Sequence, residues 1–302
     1  MTTYPLAPSV SDVLALLKSP TLLARRFAEL VAARNRGFMS NQVLTGRYTM
    51  TGGALVYFPE EQIEADDEPE DLTPGGEYPM VTLGEDALEI VAAGKKGFGS
   101  KVSDEAVSRL QADPVDRALN LLANKMISSF DSGAMSMVAS AITQTHSGAA
   151  WSTATNIIAN VEGAKAAVKE LELGYELDSI LLKESQWAAI AAPLLSLLPR
   201  EAGNPVIAGG TPQILGVRWL TSPNLPAGWV PTMFDSMNLG GIAHEAIPSP
   251  EYATVNLGAN VPSVEIARYR EQNDSTRIHV RKADVPVVRN PLAGIEISGT
   301  GL

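Results

Sequence analysis

The residues that could do chemistry in this chain are few, and none stands in a pattern that completes a site. There are three histidines, His146, His244 and His279, and no cysteine. The missing thiols exclude disulfides, thiolate nucleophiles and thiolate metal sites. No histidine falls in a His-x-x-x-His zinc pattern, although His244 and Glu245 are neighbours. Structural, hydrogen-bonded histidines are the expectation. Asp66-Asp67-Glu68 is the sharpest metal candidate. It lacks the alternating acids and turn glycine of a calcium loop, so no metal is expected there. Gly94-Lys95-Lys96-Gly97-Phe98-Gly99 is Gly-rich and basic but lacks phosphate-loop or dinucleotide spacing, which makes it a turn. Ser132-Gly133 has no nucleophile-elbow spacing. Asn273-Asp274-Ser275 matches a glycosylation sequon without a secretory signal. The residues therefore predict no catalytic group, no cofactor and no metal.

Charge is the stronger signal. Up to Arg47 the chain carries Lys18, Arg25, Arg26, Arg34, Arg36 and Arg47 against only Asp12 and Glu29. Between Arg47 and Lys95 there is no Lys or Arg. That stretch instead holds Glu60, Glu61, Glu64, Asp66, Asp67, Glu68, Glu70 and Asp71, with further acids to Glu89. A basic segment followed by an acidic one suggests a pair of complementary contact surfaces, and solvated faces are the plainer alternative. The formal charge of -11 argues against a dedicated nucleic-acid or membrane surface.

The elements that must carry these charges can be read from periodicity. Val10, Val13, Leu14 and Leu17 suggest a short helix, and Ser19-Pro20 restarts the chain into a second. Ala54 to Phe58 and Leu88 to Val91 have strand character, with Pro and Gly punctuating the acidic stretch between them. A two-stranded hairpin is marginal alone and needs a surface to lie on. Lys95 to Val102 reads as a strand or turn, and Ser103-Asp104-Glu105 opens a short helix. Asp113-Pro114 starts the longest helix, carried by Val115, Leu119, Leu122, Met126, Ile127, Phe130, Met137, Val138 and Ile142. Its methionines are expected in the core rather than in a groove.

Further on, a helix from Ile157 to Leu171 ends at Gly174, and Ser179 to Leu182 is a buried strand. A helix follows over Gln186 to Leu198, then strands over Ile214 to Leu220 and Val230 to Phe234. The tail is mainly β, with strands at Thr254 to Leu257, Val264 to Tyr269, Arg277 to Val280 and Val285 to Val288. The class is α+β, without a βαβ series or a repeat. No apolar run is long enough to span a bilayer, and Met1-Thr2-Thr3-Tyr4-Pro5 opens no leader.

Three stretches in this order carry a family resemblance. They are Glu89 to Ala106 leading into Asp116-Arg-Ala-Leu-Asn-Leu-Leu-Ala-Asn124, then Leu215-Gly-Val-Arg-Trp-Leu-Thr-Ser-Pro-Asn-Leu-Pro226, and the closing Arg281 to Gly299. The chain resembles the major capsid proteins of tailed bacteriophages, with the Hong Kong 97-type fold, most like those of actinobacterial phages. The resemblance implies an N-terminal arm (1–47) and an extended β-hairpin loop (48–97). It also implies a peripheral domain (98–150 and 246–302) with a long spine helix (114–142), and an axial domain (151–245). It implies a structural protein, not an enzyme, that self-assembles into hexamers and pentamers of an icosahedral shell in the host bacterial cytoplasm. Packaged double-stranded DNA, held without sequence-specific binding, a portal, a separate scaffolding protein and a possible decoration protein are the implied partners; no membrane is.

An encapsulin-type nanocompartment shell is the alternative. The arm arginines 25, 26, 34 and 36 are expected to face the acids 60–71 of a neighbouring subunit. The arm begins almost at once, so no proteolytic removal of the N-terminus is expected. In the family's type member a loop Lys joins an Asn of a neighbour. Here the loop from about Ala54 to Ala93 has no Lys, which leaves Lys95, Lys96 and Lys101 near its base and Asn256 and Asn290 as acceptors without a donor. No covalent cross-linking is expected.

Overall fold

The computed structural model describes residues 10–33, 38–57, 59, 88–110, 113–195, 213–255 and 264–302. Two helices open it, α1 (Val10–Lys18) and α2 (Pro20–Ala33). Ser19 separates them, and its Oγ accepts a hydrogen bond from the Leu22 amide at 3.4 Å. On α1 the buried pair is Val13 and Leu17, whereas Leu14 is exposed, contrary to expectation. A one-turn helix α3 (Ser40–Val43) leads to β1 (Gly46–Thr49). The hairpin strands are β2 (Ala54–Tyr57) and β3 (Glu89–Ala92), followed by β4 (Lys95–Ser103), α4 (Asp104–Leu110) and the 29-residue α5 (Asp113–Ala141).

The middle of the chain holds β5 (Thr145–Ser147), α6 (Ala154–Lys169), β6 (Ser179–Leu182) and α7 (Glu184–Leu195). Then come β7 (Gln213–Ile214), β8 (Val217–Thr221), β9 (Thr232–Phe234) and β10 (Gly240–His244). The tail is β11 (Tyr252–Val255), β12 (Val264–Glu271), β13 (Ser275–Val288) and β14 (Gly294–Ser298).

Two six-stranded sheets organise these elements. The first runs β1-β10-β13-β12-β11, with β4 also paired to β13. The second runs β5-β14-β9-β6-β8-β7. The sheets do not part at the expected domain boundaries. β10, expected with the axial part, pairs with β13, and β14, expected with the peripheral part, pairs with β9 and β5. The core on the first sheet gathers around α5, through Leu119, Leu122, Met126, Phe130, Met135 and Val138, with Leu23 and Phe27 of α2. Of the methionines expected in the core of α5, Met126 is buried and Met137 only partly so, and Met135 is the second buried one. The second core holds Ile157, Val161, Ile180, Leu182 and a tryptophan cluster in which Trp219 lies 6.1 Å from Trp151 and 5.8 Å from Trp187.

Several expectations are corrected here. The strand expected over Ile214 to Leu220 is a hairpin, turned by Leu215 (φ 57) and Gly216 (φ 74). Both are left-handed, as a two-residue hairpin turn requires. The two strands expected at Arg277–Val280 and Val285–Val288 are one continuous β13. The polar run Arg281-Lys282-Ala283-Asp284 between them is buried. Helix α6 stops at Lys169, and Glu172 takes a left-handed turn before Gly174 does. Helix α7 starts two residues early because Gln186 Oε1 reaches back to accept from the Lys183 amide at 2.9 Å.

β1 joins the first sheet only because two glycines face each other. Gly46 pairs with Gly241, and a Cβ on Gly241 would lie 2.4 Å from the Gly46 carbonyl oxygen. Gly241→Ala is therefore expected to force β1 off β10 and to destabilise the fold by at least about 1–3 kcal/mol, the usual penalty of overpacking. Chemical denaturation against the parent checks this, and an unchanged midpoint would refute it.

Candidate interaction surfaces

The arm arginines do not share one environment. Arg26 reaches across to α5, where its Nε and Nη2 donate to Asp116 at 3.0 and 2.8 Å, and it also contacts Glu29 at 3.5 Å. Such a two-point guanidinium–carboxylate pair fixes geometry as well as charge. Among the described residues Arg25 pairs along its own helix, with Glu29 at 3.3 Å, and its side chain is 80% exposed. Arg34, Arg36 and the acids Glu60, Glu61, Glu64, Asp66, Asp67, Glu68, Glu70 and Asp71 lie outside the described residues. Sequence reasoning treated Arg25 and Arg26 alike. The helical period does distinguish them, since Arg26 stands beside the buried Phe27 and Leu23 face.

The base of the hairpin lies partly on its own chain. Tyr48, Leu55, Tyr57 and Ala93 pack on the buried Met50, Ala243 and Val287. Between this base and the first sheet a cavity of about 250 Å³ is lined by Tyr48, Leu55, Val56, Tyr57, Val287 and Arg289. Burial, and then the carboxylate of Glu89, pushes the Tyr57 hydroxyl up to about 12, so it remains a donor to Glu89. The other side of the ribbon is uncovered: Val56, Leu88 and Ile90 are 53, 50 and 66% exposed. Contiguous exposed apolar residues on a two-stranded ribbon mark a contact surface. Met237 stands out at 81% exposure on a turn braced by Asp235, whose Oδ1 accepts from the Met237 and Asn238 amides.

The lysines relevant to cross-linking lie on β4. Lys101 is paired with Glu271 at 2.8 Å, and Lys96 lies against Gly133 of α5. Asn290 is buried, and Asn256 lies outside the described residues. Among the described residues no cluster of His and acidic groups has metal-site geometry. The histidines are enclosed by structure. His146 packs against Gly163, and His279 lies tilted against Tyr269 with ring centres 5.0 Å apart. Burial holds His279 below the usual imidazole range.

His244 is different. Its Nδ1 lies 2.5 Å from Asp284 Oδ1, and Asp284 Oδ2 is 2.9 Å from the Lys282 ammonium. That ammonium sits 3.9 Å above the Phe130 ring and 4.1 Å above the Phe38 ring. Asp131, buried on α5, accepts from the Met39 amide and from the Ser40 amide and hydroxyl. Sequence reasoning missed this network. Its one signal was the pair of charges, Lys282 and Asp284, in an otherwise strand-like run.

A family model described as phage capsid protein matches residues 87–297. The match spans most of the chain, from β3 through β14. The chain belongs to the phage capsid protein family, and its fold is the Hong Kong 97-type α+β fold. Solved structures agree on that fold. A Cyanophage A-1(L) capsid protein aligns with 88% of this chain and 93% of its own, at 13% identity and a TM-score of 0.59. A Mycobacterium phage Bobi protein aligns over 87% and 91%, at 15% identity and 0.55. A virus-like particle from Pyrococcus furiosus aligns over 91% and 97%, at 12% identity and 0.53. No curated protein matches in sequence.

The two arm arginines are expected to differ on mutation. Arg26→Ala should cost about 1 kcal/mol, at the upper end for a partly exposed pair, because it frees Asp116 on the spine helix. Arg25→Ala should stay within about 0.5 kcal/mol. Urea denaturation of each variant checks this; equal losses would refute the assignment.

Proposed function

We propose that this chain is the major capsid protein of a tailed bacteriophage and self-assembles into hexamers and pentamers of an icosahedral shell around double-stranded DNA. The observation that carries this reading is the family match over residues 87–297. The exposed apolar ribbon at Val56, Leu88 and Ile90 supports it, because one chain leaves that surface uncovered. Assembly takes place in the host cytoplasm, with a portal and a separate scaffolding protein, and a decoration protein is a further partner of the same shell. DNA is held without sequence reading, consistent with the net charge of -11. The virus-like particle from Pyrococcus furiosus shares the fold at 12% identity, so an encapsulin-type shell remains the second reading. The phage-capsid family match favours the first.

In the proposed assembly Arg25, Arg34 and Arg36 meet the acids 60–71 of a neighbouring copy, with Arg26 shared between that contact and Asp116. Hexamers, pentamers or closed shells are expected in electron micrographs of the purified chain. A monomer at every concentration and salt would overturn the reading, and enzyme cargo in place of DNA would shift it to the second. Shells should loosen between 0.1 and 1 M salt, as the Debye length falls from about 10 to 3 Å. Reversal of Arg25 and Arg26 that leaves assembly unchanged over that range would remove the arm–loop contact.

Covalent joining is a separate matter. A lysine must be neutral to attack an amide, and so needs a desolvated site. Lys95, Lys96 and Lys101 are exposed on β4. Denaturing gels of mature particles should give one band near 32.0 kDa. A ladder of multimers would contradict this.

A further inference from the structure

The segment 38–50 connects the N-terminal helices to the hairpin, and one buried charge network holds both of its ends. At its start, Phe38 stacks edge-on against Phe130 at 5.8 Å, and both rings face the Lys282 ammonium. Met39 and Ser40 donate to Asp131. At its end, Thr49 stands opposite His244 in the β1–β10 register, and the Met50 amide donates to the His244 carbonyl at 2.9 Å. Between these ends lie the Lys282–Asp284 ion pair at 2.9 Å and the Asp284–His244 contact at 2.5 Å, and Asp131 acts on Lys282 through its charge. Asp284 and Lys282 are almost wholly buried, while the His244 side chain retains 26% exposure and so exchanges protons with solvent. Just beyond Met50, Gly52 and Gly53 turn the chain into β2 with left-handed backbones (φ 77 and 80).

We propose that Asp131, Lys282, Asp284 and His244 form a proton-sensitive latch on the segment 38–50, closed while His244 is charged and loosened when it becomes neutral. The latch anchors the N-terminal helices and the hairpin together, so protonation sets how firmly both are held for contact with neighbouring copies. That consequence rests on the shell reading; the latch itself does not.

Among the described residues, five elements supply charged groups that face the network. α5 supplies Asp131, β13 supplies Lys282 and Asp284, and β10 supplies His244. β1 adds Arg47, which acts on Asp284 and Lys282, and β12 adds Glu265, which acts on His244 and is itself held by Arg281. With His244 protonated, Asp284 has a cation 2.5 Å from one oxygen and Lys282 2.9 Å from the other, with the charge of Arg47 acting on it as well. With His244 neutral, Asp284 loses the nearest of these charges and keeps Lys282 and Arg47. A buried carboxylate with fewer charge partners is held less well, so this state is the weaker one.

The hydrogen bond to Asp284 raises the proton affinity of His244 above the ordinary imidazole value, with burial opposing it. A group raised in the folded state contributes stability that is fully present below its unfolded value, about 6.5. That stability is lost as pH rises through the raised value. The latch is therefore tight in mild acid and slack in mild alkali.

Hydrogen–deuterium exchange on the unassembled full-length chain tests this directly. Protection of the Met39, Ser40 and Met50 amides, corrected for intrinsic exchange, should fall as pH rises from 6 through 8. The fall should be about tenfold for each unit by which His244 exceeds the ordinary value. Amides of β6 in the second sheet should show no such step. His244→Gln keeps a donor for Asp284 but cannot gain charge, so the step should vanish and protection should stay at the slack level. A flat wild-type profile overturns the latch, as does a step that survives in His244→Gln. Should that variant fail to fold, the wild-type profile decides alone. A chain that shows the step yet never forms shells overturns the shell reading and leaves the latch standing.

Discussion

Lys282 places a positive charge inside the first core, and the chain around it is arranged to meet that charge. Its side chain is 1% exposed. An ammonium in that position would cost several kcal/mol if left unmatched. Burial lowers its proton affinity, and Asp284 and Asp131 oppose that shift. Two aromatic faces, from α5 and from the segment before α3, complete the enclosure. Meeting one buried charge thus ties together the register of β13, the rotation of α5 at Phe130 and Asp131, and the placement of Phe38 to Ser40. Burial also raises the proton affinity of Asp131, and the hydrogen bonds from Ser40 and Met39 limit the rise.

β13 transmits this arrangement through the sheet. It pairs with β12 and β4 along its first part and with β10 along its last. β10 in turn accepts β1 in parallel, in the register that sets Gly46 opposite Gly241. The 3-10 turn after β13 (Pro291–Ala293) then hands the chain to β14, in the second sheet. The two sheets are consequently joined by continuous chain from β4 through α4 and α5 to β5, from β9 to β10 and from β13 to β14. A change near Lys282 therefore acts on the hairpin base and the helical arm before it acts on the tryptophan core.

Much of the secondary structure was legible because burial follows period. α5 and α6 announce themselves by apolar residues at helical spacing, and β6 by four consecutive buried positions. What was not legible depended on tertiary context. The polar stretch in β13 reads as a loop until its partners are known, because a buried Lys and Asp are tolerated only as a pair. The turn at Leu215 is hidden because leucine rarely takes a positive φ. Of the proposed contact residues, Arg25 and Arg26 look identical in a charge count, yet a partner ninety positions away on α5 separates them. Of the charge network only the Lys282 and Asp284 pair left a mark in the sequence, since its four members come from three separate stretches.

The remaining constraint concerns copies meeting one another. β4 pairs with β13 alone among the described residues, which leaves its other edge open over nine residues. An open edge of that length invites strand addition in any register. Lys95, Lys96 and Lys101 are exposed along it, and charged residues on an edge oppose such pairing. The chain as a whole carries -11, so copies repel at a distance, but at physiological salt that repulsion fades beyond about 8 Å. In the proposed shell it is within that range that the apolar residues of the ribbon act. Each such contact is weak, and a closed symmetric assembly uses every one of them many times. Discrimination against wrong approaches, by the charged edge and the net charge, thus serves assembly as much as the attraction does.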